Sequence, residues 1–337
     1  MIITRTPYRV SFFGGGTDFP AYYEEHGGAV LSSTINRYSY IHCRILPPYF
    51  DHCYRIRYFQ TERVGCLDDI AHPSVRECLR YLNCPYPLEI LHSGDIPAMS
   101  GIGSSSSFTV GLLQALHGLM GKMTTKRELA EQAIEVEQQR IKECVGSQDQ
   151  YAAAFGGFNR IDFGPGKPIR LTPLTLAREK LEALQSSLIF CFSGISRISA
   201  EIQATHIQNI PKCQPELADM KALVDEAQGV LNNGKNLDDF GRLMDAAWKI
   251  KQRFSDKVTN DSLSELYDCA IRAGALGGKV CGAGGGGFMV FYVPGHRQEA
   301  VKETLRKALL VPIRFEYLGA HVIFFSHEDA RLVDKPA

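Results

Sequence analysis

The sequence predicts an α+β protein of two domains, and three observations predict it. Apolar runs at Ala29–Leu31, Tyr38–Leu46 and Tyr54–Tyr58 follow one another as strands, an antiparallel start rather than a strict β-α alternation. In the second half, three helical patterns centred near Leu223, Met244 and Leu266 stand apart from the strand-like runs, the layering of an α+β fold. The chain's 337 residues also exceed what one small core needs, so two domains are expected, 1–180 and 181–337, divided where the texture turns charged and helical.

Composition removes several function classes. A 45% hydrophobic and 22% charged chain has the balance of an ordinary globular protein, against disorder or a fibre. Lys plus Arg equal Asp plus Glu at 37 each, so no global field draws the chain to nucleic acid or an anionic membrane, and any anion site is local. The ten cysteines form no C-x-x-C pair, and Met1-Ile-Ile-Thr-Arg5 lacks an apolar signal segment, so reduced thiols in the cytoplasm are expected. No apolar run approaches the roughly 20 residues of a membrane-spanning helix.

Taken in order, Val10–Phe13 is a strand-like run that ends on Gly14-Gly15-Gly16-Thr17-Asp18-Phe19-Pro20. The glycines let the backbone present Thr17 and Asp18 at a strand end, and Pro20 opens a short helix over Phe19–Glu25. Asp18 then either caps that helix or faces a ligand. Pro73–Leu82 starts like a helix, and the strand-like Leu88–Leu91 leads into a turn of Gly101, Ile102, Gly103 and Ser104–Ser107. The helix beyond it carries Phe108, Leu112, Leu116 and Leu119 as one buried stripe. The first N–H groups of a helix lack partners within it and its dipole favours negative charge, so this turn reads as a phosphate cradle. An N-capped helix after a serine loop is the plainer alternative.

Thr125 with Glu128 forms a capping box for the next helix, which extends to about Lys142. At about 100° per residue, Ala130, Ala133, Ile134 and Ile141 share one face with Glu137 in its middle. A buried carboxylate needs a basic residue, for which Arg140 is in reach, or a metal ion. Asp149 follows the polar turn Gly146-Ser147-Gln148 and precedes an alanine-rich segment, as a helix cap or as the base of a reaction centre. Phe158–Phe163 and Ile169–Leu171 are strands about a Gly-Pro-Gly-Lys-Pro turn. Ser187–Phe192 is a strand ending at Ser193-Gly194, with Arg197 on the following turn. The glycine-rich Lys279–Phe288 runs into the strand Met289–Val293. A helix over Gln298–Leu309 and strands Ile313–Tyr317 and His321–Phe325 finish the chain. The G-x-G-x-x-G within 282–287 precedes a strand instead of opening a helix, so it is no dinucleotide fingerprint, and neither a P-loop nor zinc spacing is present.

These motifs carry a resemblance. Pro97-x-x-x-Gly101-Ile102-Gly103-Ser104-Ser105 resembles the ATP-phosphate loop of the GHMP kinases, the family of galactokinase, homoserine kinase and mevalonate kinase. Thr6-Pro7-Tyr8-Arg9-Val10 resembles the family's N-terminal motif, with Arg9 where many members have Lys, and Lys279–Phe288 resembles its C-terminal glycine loop. The resemblance implies a ribosomal protein S5-type N-terminal domain and a ferredoxin-like C-terminal domain with ATP between them. It implies Gly101, Ile102, Gly103, Ser104, Ser105, Ser106 and Ser107 on the ATP phosphates, and Ser104, Ser105 and Glu137 on Mg²⁺. Asp149 would be the base at the accepting hydroxyl, and Arg9 would stabilise charge nearby. The interval from Glu137 to Asp149 is a residue longer than in the mevalonate-kinase pattern, which bears on the metal ligand.

The form Gly-Gly-Gly-Thr-Asp-Phe-Pro resembles the sugar-binding loop of the anomeric kinases for heptose 7-phosphate and fucose. It implies Gly15, Gly16, Thr17 and Asp18 on the sugar. A 7-phosphate also needs cations, for which Arg197 beside Gly194 and Lys279 before the glycine loop are the candidates, with Gly284 and Gly285 as further substrate contacts. The implied partners are ATP and a small sugar phosphate, and a homodimer stays open. A GHMP-fold sugar sensor without turnover, and an ATP-dependent decarboxylase of the mevalonate branch, are the competing readings. Both acids and the serines favour the enzyme, and the loop suits a polyol.

Overall fold

The structure, a computed structural model, describes residues 1–97, 100–194, 199–234 and 236–327. It is α+β, as the sequence predicts. Two long strands, β1 (Ile2–Phe13) and β2 (Gly28–Ile45), form the centre of a nine-stranded sheet, with α1 (Pro20–His26) between them. The runs Ala29–Leu31 and Tyr38–Leu46 are thus one strand. Ser32, Ser33 and Thr34, which break the apolar pattern, are buried because β2 pairs with β1 along one edge and with successive strands along the other. Backbone pairing on both edges outweighs side-chain propensity there. Pro7 has no N–H to give the ladder, and the β1–β2 register shifts beside it, shortly before Arg9.

The chain continues through β3 (Tyr54–Arg57), β4 (Thr61–Val64), α2 (Pro73–Leu82) and β5 (Leu88–Gly94). Then come α3 (Ser104–Leu119), α4 (Lys126–Ile134) with a π-helical turn over Glu135–Arg140, α5 (Gln148–Phe155) and the hairpin β6 (Phe158–Gly164) and β7 (Lys167–Pro173). The predicted capping box of α4 is present, with Thr125 and Glu128 exchanging both bonds. In the second half, α6 (Arg178–Ser186), β8 (Leu188–Phe192), α7 (Ser199–Asn209), α8 (Gln214–Asn233), α9 (Asp238–Gln252) and α10 (Asp261–Ala273) precede β9 (Gly277–Val280) and β10 (Phe288–Tyr292). The chain closes with α11 (Gln298–Thr304), β11 (Leu309–Leu310), β12 (Phe315–Glu316) and β13 (His321–Phe325). The helix expected to reach Leu309 stops at Thr304, because Leu309 and Leu310 pair with Phe192 and Cys191.

The second sheet is antiparallel in the order β11-β8-β10-β9. The last two strands do not join it. β13 pairs with β1 and β12 with β2, so residues 315–325 return to the first sheet. One hydrophobic core spans both halves: Phe12 packs on Phe158, Phe240 and Phe315 at ring separations of 5.7, 5.5 and 6.3 Å, and Phe13 meets Phe240 edge-on. Among the described residues no helix is long and apolar enough to cross a membrane.

Candidate active site

The start of α3 is built around a glycine. Gly103, at the N-cap, has φ of 74° and offers no side chain, so the helix begins uncapped. A Cβ there would stand 3.2 Å from Arg9 Cγ and 3.3 Å from Asp149 Oδ2, so the turn also makes room for an ion pair. The serines divide by direction. Ser105 is exposed and Ser104 half-buried, whereas Ser106 Oγ donates to Glu137 Oε2 (2.8 Å) and Ser107 Oγ donates to the Pro7 carbonyl (2.9 Å). Ile102 is buried, and its carbonyl accepts the Arg9 amide at 3.0 Å.

Glu137 lies wholly inside, as its helical position requires. Its Oε2 also accepts from Gln150 Nε2 at 2.6 Å. Oε1 is buried without a hydrogen-bond partner, Thr109 Oγ1 being directed to the Ser105 carbonyl (3.3 Å). Burial pushes the carboxyl up to about 7. Arg140 does not reach it: the guanidinium lies over the Tyr81 ring and 4.0 Å from Glu135. Glu137 is carried by the π-helical turn over Glu135–Arg140, a geometry found mostly as single turns and frequently at functional sites.

Arg9 grips Asp149 from two sides, Nε to Oδ1 at 2.7 Å and Nη2 to Oδ2 at 2.6 Å, and its Nη1 donates to the Gly101 carbonyl at 2.9 Å. Arg9 is buried, while the Asp149 side chain is 20% exposed. Asp149 is the second residue of α5, and its carboxylate serves Arg9. Asp18 likewise does not cap α1, where Phe19 holds the cap position. Its Oδ1 accepts from the Gly16 amide (3.0 Å) and Oδ2 from Gln148 Nε2 (2.8 Å). Burial, and then the charge of Asp149, hold its pKa above the ordinary range. Gly146 must be glycine here, since a Cβ would fall 1.9 Å from Asp18 Oδ2.

Arg9, Gly15, Gly16, Asp18, Gln148 and Asp149 form one wall of a cleft of about 630 Å³, mouth included, that Lys251, Lys279 and Gly282 complete from the second half. Thr17 is fully buried and stays behind this wall. Its hydroxyl is directed to the Gly14 and Ala29 carbonyls and accepts the Ala29 amide, which staples the loop to β2. Lys279 Nζ donates to the Phe12 carbonyl at 3.0 Å, and burial lowers its pKa to about 8. Gly284 and Gly285 sit outside the lining, against Val258, whose carbonyl accepts the Gly285 amide at 2.7 Å. Gly282 touches Gly101 backbone to backbone, so the two glycine loops meet. Arg197 lies outside the described residues.

Lys251, Gln148, Gln150 and His206 escaped the sequence reading, and Ser106, read there as a phosphate contact, donates to Glu137. A signal existed for Lys251: Met244, Ala247, Trp248 and Lys251 recur at i, i+3, i+4 and i+7, so the lysine continues a buried stripe as Glu137 does.

Comparisons with known proteins match both halves of the chain. The GHMP kinases N terminal domain matches residues 70–157, and the GHMP kinases C terminal matches residues 220–310. D-glycero-alpha-D-manno-heptose 7-phosphate kinase of Campylobacter jejuni is 31% identical over 321 residues, covering 91% of this chain and 93% of that protein. Mevalonate kinase of Pyrococcus horikoshii is 27% identical over 234 residues, 67% of this chain and 65% of that one. Among solved structures, a D-glycero-D-manno-heptose 1-phosphate kinase from Bacteriodes thetaiotaomicron superposes with a TM-score of 0.79 at 25% identity, covering 97% of this chain and 100% of that one. With both family domains in order and one relative matched along nearly its whole length, the chain belongs to the GHMP kinase family.

Proposed function

We propose that this GHMP kinase, an ATP-dependent phosphotransferase acting on a sugar, phosphorylates the anomeric hydroxyl of D-glycero-D-manno-heptose 7-phosphate. The product would be the 1,7-bisphosphate, for nucleotide-activated heptose and surface polysaccharide synthesis. The observation that carries the reading is the Arg9–Asp149 pair, set between the uncapped start of α3 and a cleft lined by Asp18 and two buried lysines. Anion cradle, base and polyol contact thus share one place. The Campylobacter relative is named for heptose 7-phosphate and the Bacteriodes structure for heptose 1-phosphate, so the sugar class is supported twice and the phosphate position once each way.

Phosphoryl transfer asks mainly for positioning and charge neutralisation. The free amides at the start of α3 fit a polyphosphate, and no side-chain cap competes for them. The unpartnered Glu137 Oε1 fits a hard cation, with Ser106 bonded to the other carboxylate oxygen and Ser104 and Ser105 less buried at the same helix start. Mg²⁺, when bound there, supplies positive charge to the phosphoryl oxygens. Each Asp149 oxygen keeps a lone pair that Arg9 does not fill, and one of them accepts the proton of the attacking hydroxyl. Arg9 fixes that carboxylate and, through the Gly101 carbonyl, ties it to the cradle. Asp18 takes hydrogen bonds from neighbouring sugar hydroxyls.

The test is kcat/KM for heptose 7-phosphate, mannose 6-phosphate, fucose and unphosphorylated heptose, and the first should be highest. Equal rates with and without the sugar phosphate would remove the heptose 7-phosphate assignment. If no sugar stimulates ADP release while ATP still binds, the sensor reading replaces the kinase.

Glu137 gives a readout independent of turnover. Its carboxyl holds a proton up to about pH 7 in the fold against 4.5 unfolded, so stability falls as pH rises between those values and levels off above. Glu137→Gln should remove that slope, on the order of 3 kcal/mol as an upper bound from 1.36 kcal/mol per pKa unit. Saturating Mg²⁺ and ATP should flatten it in the unaltered protein. A melting curve whose pH dependence is the same in both proteins would place Glu137 outside the metal site.

A further inference from the structure

Ser11 Oγ, Gln148 Oε1 and His206 Nε2 are buried polar atoms without hydrogen-bond partners, and their side chains line the same cleft. Buried polar groups in folded proteins are usually paired, and three orphans gathered on one cavity mark a surface that a polar ligand would satisfy. Beside them lie two lysines that hold no carboxylate. Lys251 Nζ donates to the Val280 carbonyl at 3.1 Å and to the Gly282 carbonyl, which leaves one of its three protons free. Lys279 uses one proton, on Phe12. Of the acids among the described lining residues, Asp149 is taken by Arg9, and Asp18 remains against both ammonium groups.

Among the described lining residues Arg9, Lys251 and Lys279 outnumber Asp18 and Asp149 by one, so the cleft favours an anionic group. His206 stands on the boundary between the cleft and a second recess, which it lines with Gly16, Phe19 and Phe254 and which neither Arg9 nor Asp149 reaches. Burial keeps both lysines below their ordinary pKa, Lys251 well below, and holds the His206 imidazole down to about 4, so the ring offers a neutral N–H or lone pair.

We propose that Lys251 and His206, with Lys279, bind the phosphate monoester carried by the sugar acceptor, within the cleft they share with Asp18. This rests on the acceptor-kinase reading above and assigns its specificity to α7 and α9. The same ammonium chemistry also suits the terminal phosphoryl of the nucleotide, and the experiment separates the two sources.

Steady-state kinetics of the whole protein, Lys251→Met and His206→Ala are compared with heptose 7-phosphate and with unphosphorylated heptose, together with the KM for ATP and melting temperatures. Lys251→Met should lower kcat/KM for the phosphorylated sugar by about 100-fold, the scale of removing one partner of a buried charged contact. His206→Ala should lower it by about 10-fold. His206→Ala should leave the unphosphorylated sugar within about 3-fold and the KM for ATP unchanged, whereas Lys251→Met, which also gives up the Gly282 carbonyl, should cost the phosphorylated sugar at least about 10-fold more than the unphosphorylated one. A raised KM for ATP with equal losses on both sugars would assign Lys251 to the nucleotide instead. If Lys251→Met does not fold, the His206→Ala pair of rates decides alone. An unaltered protein that shows no preference for the phosphorylated sugar overturns the acceptor reading; a preference that survives in both variants overturns this inference only.

Discussion

Asp149→Asn lowers kcat by about 100-fold to 10,000-fold while the fold and ATP binding persist. Two effects act together. The amide cannot accept the proton of the attacking hydroxyl, and its NH₂ turns a donor toward the Arg9 guanidinium, which offers only donors. Arg9 then loses one of its two bonds and the carboxylate that neutralises it. Single-turnover rates at saturating ATP, a nucleotide isotherm and a melting curve separate these losses from unfolding. An unchanged kcat would leave Asp149 as the holder of Arg9 and nothing more.

The second large effect follows from the contact between the two glycine loops. Gly282 has φ of 63°, and a Cβ there would fall 2.6 Å from the Gly101 Cα, a backbone atom that cannot swing aside. Gly282→Val should therefore push the cradle off the start of α3, raising the KM for ATP by more than about 10-fold, with about 1–3 kcal/mol of backbone strain in addition. Gly284→Ala is the companion measurement. It presses on Val258 instead, so it should lower the melting temperature and leave the KM for ATP near its starting value. Equal nucleotide affinity in the two variants would mean that the loop contact does not shape the cradle.

Much of this site was legible because local chemistry names it. Glycines beside serines at a helix start, and one carboxylate on an otherwise apolar helical face, are visible without knowing what packs against them. Partner choice was not legible. Projection on a regular helix points Glu137 inward, but only the structure shows Ser106 and Gln150 meeting it while Arg140 turns to Tyr81. Thr17 and Asp18 are neighbours in one motif, yet the strand end directs one hydroxyl back into β2 and the other side chain toward the cleft. Lys251 shows the converse case, a periodic signal present in α9 and passed over beside the stronger glycine motifs. The long β2 strand and the return of β12 and β13 depend on pairing between distant segments, which no local pattern encodes.

That return governs when the protein can finish folding. Phe325 lies beside Ile2, so one edge of β1 waits for its partner until roughly 300 further residues have been made, about 15–60 s at ordinary rates of synthesis. Through that interval the nascent first half presents an unpaired strand edge, the kind of surface that recruits neighbouring chains. Slow long-range pairing then sets the pace of assembly. The growing polypeptide is most exposed to aggregation, and most in need of chaperone cover, after its first half is built and before its last strands leave the ribosome.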